Sequence, residues 1–230
     1  MSKICGFDKM IKNKFSLKKI MAEKRGRFIV FEGIDGCGKT TQIKGFADYL
    51  FNRNKYNHVV LTREPYENAT IRAILTQDKN PLAKADLLTK LFVDDRKKHA
   101  RELIIPSLER GCYVVSDRYK LSTVAYQSAQ GLDMLELLTM HDNLPVPDLT
   151  YIFDVPLKIV FERMGLDKGR TEHKFEASRK FLEKVRQNYL KLSQILSYER
   201  IAVIYGNRTP DKIFEDVKGI FEELNPYYSS

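Results

Sequence analysis

Five short apolar runs punctuate the chain, at 27–32 (Arg-Phe-Ile-Val-Phe-Glu), 58–62, 112–116, 149–154 and 201–205. They are rich in β-branched and aromatic residues, as in strands buried on both faces of a parallel sheet. Between them the apolar positions recur at helical spacing. Helices are predicted over about 39–52, 68–75, 84–109, 121–128, 134–144, 176–197 and 210–224, with one more opened by Pro156. The longest carries Leu87, Leu88, Leu91, Phe92, Leu103, Ile104 and Leu108, and Pro106 predicts a kink or break near its end. A charged, glycine-containing stretch from Gly165 to Lys174 interrupts the pattern. Strand and helix thus alternate throughout. That order predicts an α/β fold: a doubly wound, five-stranded parallel sheet with helices on both faces, a three-layer sandwich.

Composition narrows the class. At 230 residues, 43% hydrophobic and 30% charged, the chain fits one soluble globular domain. No apolar run is long enough to span a bilayer, and no stretch reads as a signal peptide. Cys5, Cys37 and Cys112 show neither pairing nor metal-ligand spacing, so a reducing, cytoplasmic setting fits. The formal net charge of +9 raises the question of nucleic acid. However, residues 1–25 hold eight basic and two acidic residues, which is most of that excess. Residues 1–26 therefore read as a mobile, solvated basic extension, with a targeting segment the weaker alternative. The domain proper, 27–230, keeps a modest positive excess that suits a small polyanionic ligand rather than nucleic acid.

The first strand runs into Gly33-Ile34-Asp35-Gly36-Cys37-Gly38-Lys39-Thr40, which matches G-x-x-x-x-G-K-[ST] between a predicted strand and a predicted helix. Glycines there let backbone N–H groups converge on phosphate oxygens, and the helix N-terminus favours their negative charge. Lys39 is expected to reach the β- and γ-phosphates of ATP, and the Thr40 hydroxyl to hold Mg²⁺, with Thr41 completing the turn. The loop certifies only triphosphate binding, since GTPases, partition ATPases and small-molecule kinases share it. The Asn-Lys-x-Asp motif of GTPases is missing; Thr89-Lys90-Leu91-Phe92, the nearest string, lacks both the Asn and the Asp.

Taken together, Phe31–Gln42, Thr62-Arg-Glu-Pro65, Phe92-Val-Asp-Asp-Arg96, Asp117–Gln127 and Pro147–Thr150 with Asp154–Pro156 resemble the thymidylate kinase family in content and order. Phe181–Leu190 looks like a helix of that family, and the resemblance covers residues 27 to about 220. It implies a P-loop kinase that transfers the γ-phosphoryl of ATP to dTMP. Phe92 and Arg96, four apart on one helix face, would stack on the base and reach its carbonyl or the phosphate. Arg118 would grip the acceptor phosphate, and Asp117 would act near Mg²⁺ through water. Asp35 would meet the sugar 3′-hydroxyl. Arg63 and Glu64 would belong to a loop closing over the acceptor phosphate. Thr123, Tyr126 and Gln127 would lie beside the base and sugar, with Tyr126 excluding a ribose hydroxyl by bulk.

The phosphate loop has no basic residue at Ile34, Asp35, Gly36 or Cys37. The chain therefore resembles the branch whose catalytic arginine sits in a lid, here about 163–175. Arg170 is the first choice for that role, with Arg163 nearby. Adenine would lie by the lid base and the Gly206–Pro210 loop, which contains Asn207. Tyr66 stands where relatives carry glycine, so the loop after Pro65 is expected to have a different shape. Relatives are usually homodimers, and the 84–109 helix could pack such a pair. Alternative readings are another deoxynucleotide kinase (dUMP or broad specificity) and a catalytically inactive nucleotide-binding protein.

Overall fold

The computed structural model describes residues 25–78, 80, 82–165 and 179–224. Strands β1 (Phe28–Glu32), β2 (Val59–Arg63), β3 (Tyr113–Asp117), β4 (Leu149–Asp154) and β5 (Ile201–Tyr205) form one sheet in the order β2-β3-β1-β4-β5. Every pairing is parallel. The helices are α1 (Lys39–Arg53), α2 (Ala69–Gln77), α3 (Ala85–His99), α4 (Ile105–Glu109), α5 (Lys120–Ala129), α6 (Met134–Thr139), α7 (Leu157–Gly165), α8 (Arg179–Ile195) and α9 (Pro210–Glu223).

Central β1 is buried along its whole length, and successive side chains enter different layers, as the strand period of two requires. Ile29 and Phe31 join the larger core; Phe28 and Val30 join a smaller one with Ile104, Leu108, Val114 and Tyr119. Phe31 stacks on Phe153 with centroids 5.8 Å apart, and Phe46 of α1 meets Phe221 of α9 edge-on at 5.0 Å. Each such fully buried side chain contributes about 1.5–3 kcal/mol relative to exposure. The same alternation aims Glu32, the last residue of β1, toward the Phe28 and Val30 side, where Tyr119 lies.

Several expected boundaries shift. β2 and β3 each begin and end one residue later, so Arg63 and Asp117 are strand ends in register with each other. The 84–109 helix is divided: a π-helical turn, Ala100–Ile104, separates α3 from α4. Ile105 N–H bonds to Ala100 O five residues back. This widened turn precedes Pro106, whose ring crowds the carbonyl four residues back in a regular helix. Helix α6 stops at Thr139 instead of reaching 144, and 3₁₀-like bonds such as His141 N–H to Leu138 O (2.9 Å) replace it. His141 turns inward there. Gly26, assigned to the extension, is bonded into the domain, N–H to Leu108 O at 2.8 Å. Residues 1–24 and most of the expected lid, 166–175, lie outside the described residues.

Candidate active site

The phosphate loop forms as its sequence demands. Gly33, Gly36 and Gly38 have φ of 138°, 79° and 98°, values that side chains disfavour. Gly38 caps α1, and Thr40 and Thr41 stand exposed on its first turn. Lys39 Nζ lies inside the loop, donating to Gly33 O at 2.9 Å and Ile34 O at 3.0 Å. A cleft opens above it, lined by Asp35, Gly36, Gly38, Lys39, Thr40 and Thr41 on the loop side. Arg63, Asp117 and Arg118 line it from the C-terminal strand ends, where open α/β sheets bind ligands. Asp117 Oδ1 is buried and lacks a hydrogen-bond partner among the described residues. A buried carboxylate oxygen and an exposed hydroxyl in one cleft are hard oxygen donors of the kind Mg²⁺ selects.

A second, more apolar cavity adjoins the first. Phe92, Arg96, Thr123, Tyr126 and Gln127 all line it, so the structure brings together residues spread over 36 positions of sequence. Asp35, Glu64, Pro65, Leu75 and Arg118 line both cavities and form their junction. Gln127 is fully buried, and its Oε1 has no partner among the described residues.

Arg118 occupies that junction with φ 75°, a left-handed conformation rare outside glycine and costing about 1 kcal/mol. Its guanidinium donates to Asp35 at 2.7 Å and to Ser122 Oγ at 2.9 Å, and lies 5.3 Å from the Tyr126 ring centroid. Burial disfavours its charge, but Asp35 and the hydroxyls and carboxylate around it outweigh that. Burial also pushes the Tyr126 hydroxyl above its ordinary range, so it stays protonated.

Arg96 and Glu64 depart from expectation. Arg96 is 1% exposed. Its Nε donates to Glu64 at 2.7 Å, and Nη2 donates to Tyr119 O at 3.1 Å and Thr123 Oγ1 at 2.9 Å. Nη1 meets His141 Nε2 at 2.7 Å. These bonds fix the arginine in the cavity wall. Burial and then Arg96 depress His141 to about 3, so its Nε2 accepts while Nδ1–H donates to Leu137 O. Glu64 is likewise buried, its carboxylate shared by Arg96 and His99. It lines the junction of the two cavities while paired with Arg96 and His99; the neighbouring Arg63 is exposed in the cleft.

Tyr66 adopts no positive φ. Its ring stacks on His99 at 4.5 Å, and the Asp95 carboxylate binds the N–H groups of Tyr66, Glu67 and Asn68. Arg163 donates to Cys37 O at 3.3 Å and Gly206 O at 2.8 Å, pinning the back of the phosphate loop to the β5–α9 connection while still lining the cleft. Asn207 is exposed and bonded weakly to Tyr205, outside the cleft lining. Arg170 lies outside the described residues. Sequence reasoning missed Arg72, which lines the cleft and donates to Tyr66 O at 2.9 Å, and missed Glu32, Ser122, Tyr189, His99 and His141. An acidic residue ending an otherwise apolar strand was the one available signal, for Glu32.

The profile of the thymidylate kinase family matches residues 31–217. The chain belongs to the thymidylate kinase family. A thymidylate kinase of Carboxydothermus hydrogenoformans is 38% identical over 211 residues, covering 87% of this chain and 99% of the relative. One of Cupriavidus necator is 39% identical over 208 residues, covering 87% and 100%. The crystal structure of thymidylate kinase from Ehrlichia chaffeensis superposes with a TM-score of 0.67 at 28% identity, over 86% of this chain and 99% of that one. Membership in the thymidylate kinase family agrees with the parallel sheet and with the paired cavities at its C-terminal edge.

Proposed function

We propose that the protein transfers the γ-phosphoryl of ATP to dTMP, giving dTDP and ADP. The observation that carries this reading is the meeting of two cavities at Asp35 and Arg118. One side offers a loop and a lysine for a triphosphate. The other offers a half-buried aromatic ring, Phe92, and an unpartnered buried amide oxygen, Gln127 Oε1, for a base. A pyrimidine stacked on Phe92 would place its 5′-phosphate toward Arg118 and its sugar toward Asp35 and Tyr126. Bulk at Tyr126 disfavours a ribose 2′-hydroxyl.

The reaction rests on positioning and charge neutralisation rather than on a covalent intermediate. The acceptor phosphate is largely dianionic at neutral pH, so no strong general base is required. Lys39 balances charge on the donor and Arg118 on the acceptor. Thr40 and Asp117 would hold Mg²⁺, which when bound neutralises charge on the β- and γ-phosphates. Arg170 is the proposed clamp on the transferring phosphoryl. Arg163, tied to two backbone carbonyls, fits better as a strut between the phosphate loop and the adenine side. Leu87 and Ile105, exposed on α3 and α4, support pairing of this face in a homodimer. Free thiols at Cys37 and Cys112 suit a cytoplasmic setting. No described helix is long and apolar enough to cross a membrane.

ADP release measured with dTMP, dUMP, dCMP, dGMP and AMP as acceptors tests the reading. dTMP is expected to give the highest kcat/KM. If it is not among the best acceptors, the assignment fails in favour of another nucleotide kinase; if no acceptor stimulates release, it fails in favour of a binding protein.

A further inference from the structure

Glu32 has no part in the roles assigned so far, yet it is fully buried at the end of β1, beside the junction of the two cavities. Its carboxylate gathers four donors from two other elements. Oε1 accepts from Tyr119 N–H at 2.8 Å and Ser122 N–H at 3.1 Å. Oε2 accepts from Ser122 Oγ at 2.5 Å and Tyr189 OH at 3.2 Å. Two of these groups touch Arg118 in turn: its Nη1 donates to Ser122 Oγ at 2.9 Å and to Tyr189 OH at 3.3 Å.

We propose that Glu32 is a positioning residue for Arg118, fixing both its backbone and its guanidinium so that the arginine meets the acceptor phosphate. The inference rests on the reading of Arg118 given above. Two features separate this arrangement from an ordinary buried carboxylate. First, Tyr119 directly follows Arg118, and the left-handed φ of Arg118 sets the direction of the next amide. Glu32 captures that amide, as Arg118 N–H is itself captured by Phe31 O at 2.9 Å. Strain at Arg118 is thus held from both sides by β1. Second, the Tyr119 side chain makes no capping bond to α5. Glu32 supplies the missing acceptor from another strand, and its negative charge suits a helix N-terminus.

Hydroxyls from α5 and α8 then relay the carboxylate to the guanidinium. Without Glu32, Ser122 and Tyr189 would lose the acceptor that orients their protons. Their lone pairs would no longer be reserved for Arg118. Burial raises the Glu32 carboxyl above its ordinary value, with the Ser122 bond and Arg118 opposing. For an acid with a raised folded value, the forfeited stability grows as pH rises above the ordinary carboxylate range.

The test is dTMP binding by isothermal titration calorimetry, with steady-state kinetics, on the full chain and on Glu32→Gln, Ser122→Ala, Tyr189→Phe and Arg118→Ala. Glu32→Gln is expected to weaken dTMP binding about tenfold, the worth of a charge-assisted contact, and to leave the KM for ATP within about twofold. The melting temperature of Glu32→Gln relative to the parent should rise with pH. In the Glu32→Gln, Arg118→Ala double variant, the first change should add nothing to the second. Ser122→Ala and Tyr189→Phe remove single hydroxyls. Each should weaken dTMP binding about threefold, and they carry the test if Glu32→Gln does not fold. Additive losses in the double variant overturn the inference, as does parental dTMP binding by Ser122→Ala and Tyr189→Phe together. If Arg118→Ala loses dTMP binding while Glu32→Gln keeps it, the inference fails and the reading of Arg118 stands. If Arg118→Ala binds dTMP like the parent, that reading falls and takes the inference with it.

Discussion

The donor and acceptor halves of the site are built by different means. On the donor side, the contiguous residues 33–41 make the cradle, and backbone N–H groups with one lysine supply most of its chemistry. On the acceptor side, Phe92, Arg96, Arg118, Thr123, Tyr126 and Gln127 come from α3, the end of β3 and α5. They are locked by groups further off still, at Glu32, Glu64, His141 and Tyr189. A loop that binds through its backbone needs only permissive φ values and a strand and helix on either side. A cavity that reads a base needs side chains fixed in three dimensions, so it borrows rigidity from the core. Function should therefore separate from stability on the donor side and be tied to it on the acceptor side.

The sharpest way to break this contrast is Lys39→Ala. ADP release should fall by about a thousandfold, roughly 4 kcal/mol of transition-state stabilisation, while the melting temperature stays close to that of the parent. A large drop in melting temperature would show that the donor side is also part of the packing.

Glu64→Ala probes the other half. It leaves Arg96 buried without its carboxylate, so stability should fall by about 3 kcal/mol, read as a melting temperature lower by about 10 °C. The KM for dTMP should rise in the same variant. Unchanged stability would remove the link between core and cavity.

Thr123→Val keeps the shape but leaves one Arg96 N–H without its acceptor. A loss of about 1.5 kcal/mol in chemical denaturation is expected, with a smaller rise in the KM for dTMP than Glu64→Ala gives and no change for ATP.

The smallest effect concerns pH. His141 is depressed to about 3 in the fold, against about 6.5 when unfolded. A base with a lowered folded value contributes stability that is present above the unfolded pKa. That stability is lost as pH falls from about 6.5 toward 3, because the unfolded chain takes up a proton that the fold refuses. His141→Gln retains an acceptor for Arg96 and cannot titrate, so its melting temperature should decline less between pH 6.5 and 4 than that of the parent. Parallel declines would place the acid sensitivity elsewhere.

Particular elements show what could be read in advance. Each of the five strands was visible as an apolar run, although only β1, β3 and β4 are largely buried and the edge strands β2 and β5 are partly exposed. The phosphate loop was visible because three glycines, a lysine and a threonine at fixed spacing have few other uses. That Phe92, Arg96, Arg118, Thr123, Tyr126 and Gln127 belong together was also legible through motif blocks, and they line one cavity. The duties of its residues were less so. Glu64 and Arg96 read as groups near the substrate, but their buried pairing with each other was not foreseen. The π turn before Pro106 and the early end of α6 escaped notice because periodicity registers which face is apolar, not how many residues one turn contains.

By itself, then, the sequence determined the layer architecture, the phosphate loop and the family, since each depends on local spacing or backbone permissiveness. Only the tertiary structure decided that Glu32 stands behind Arg118, that His141 is a neutral acceptor for Arg96, and that Glu64 pairs with both Arg96 and His99. Those facts depend on which buried polar groups meet across distant segments. A buried charge must find its partner wherever the fold places one, and no local pattern of residues encodes that meeting.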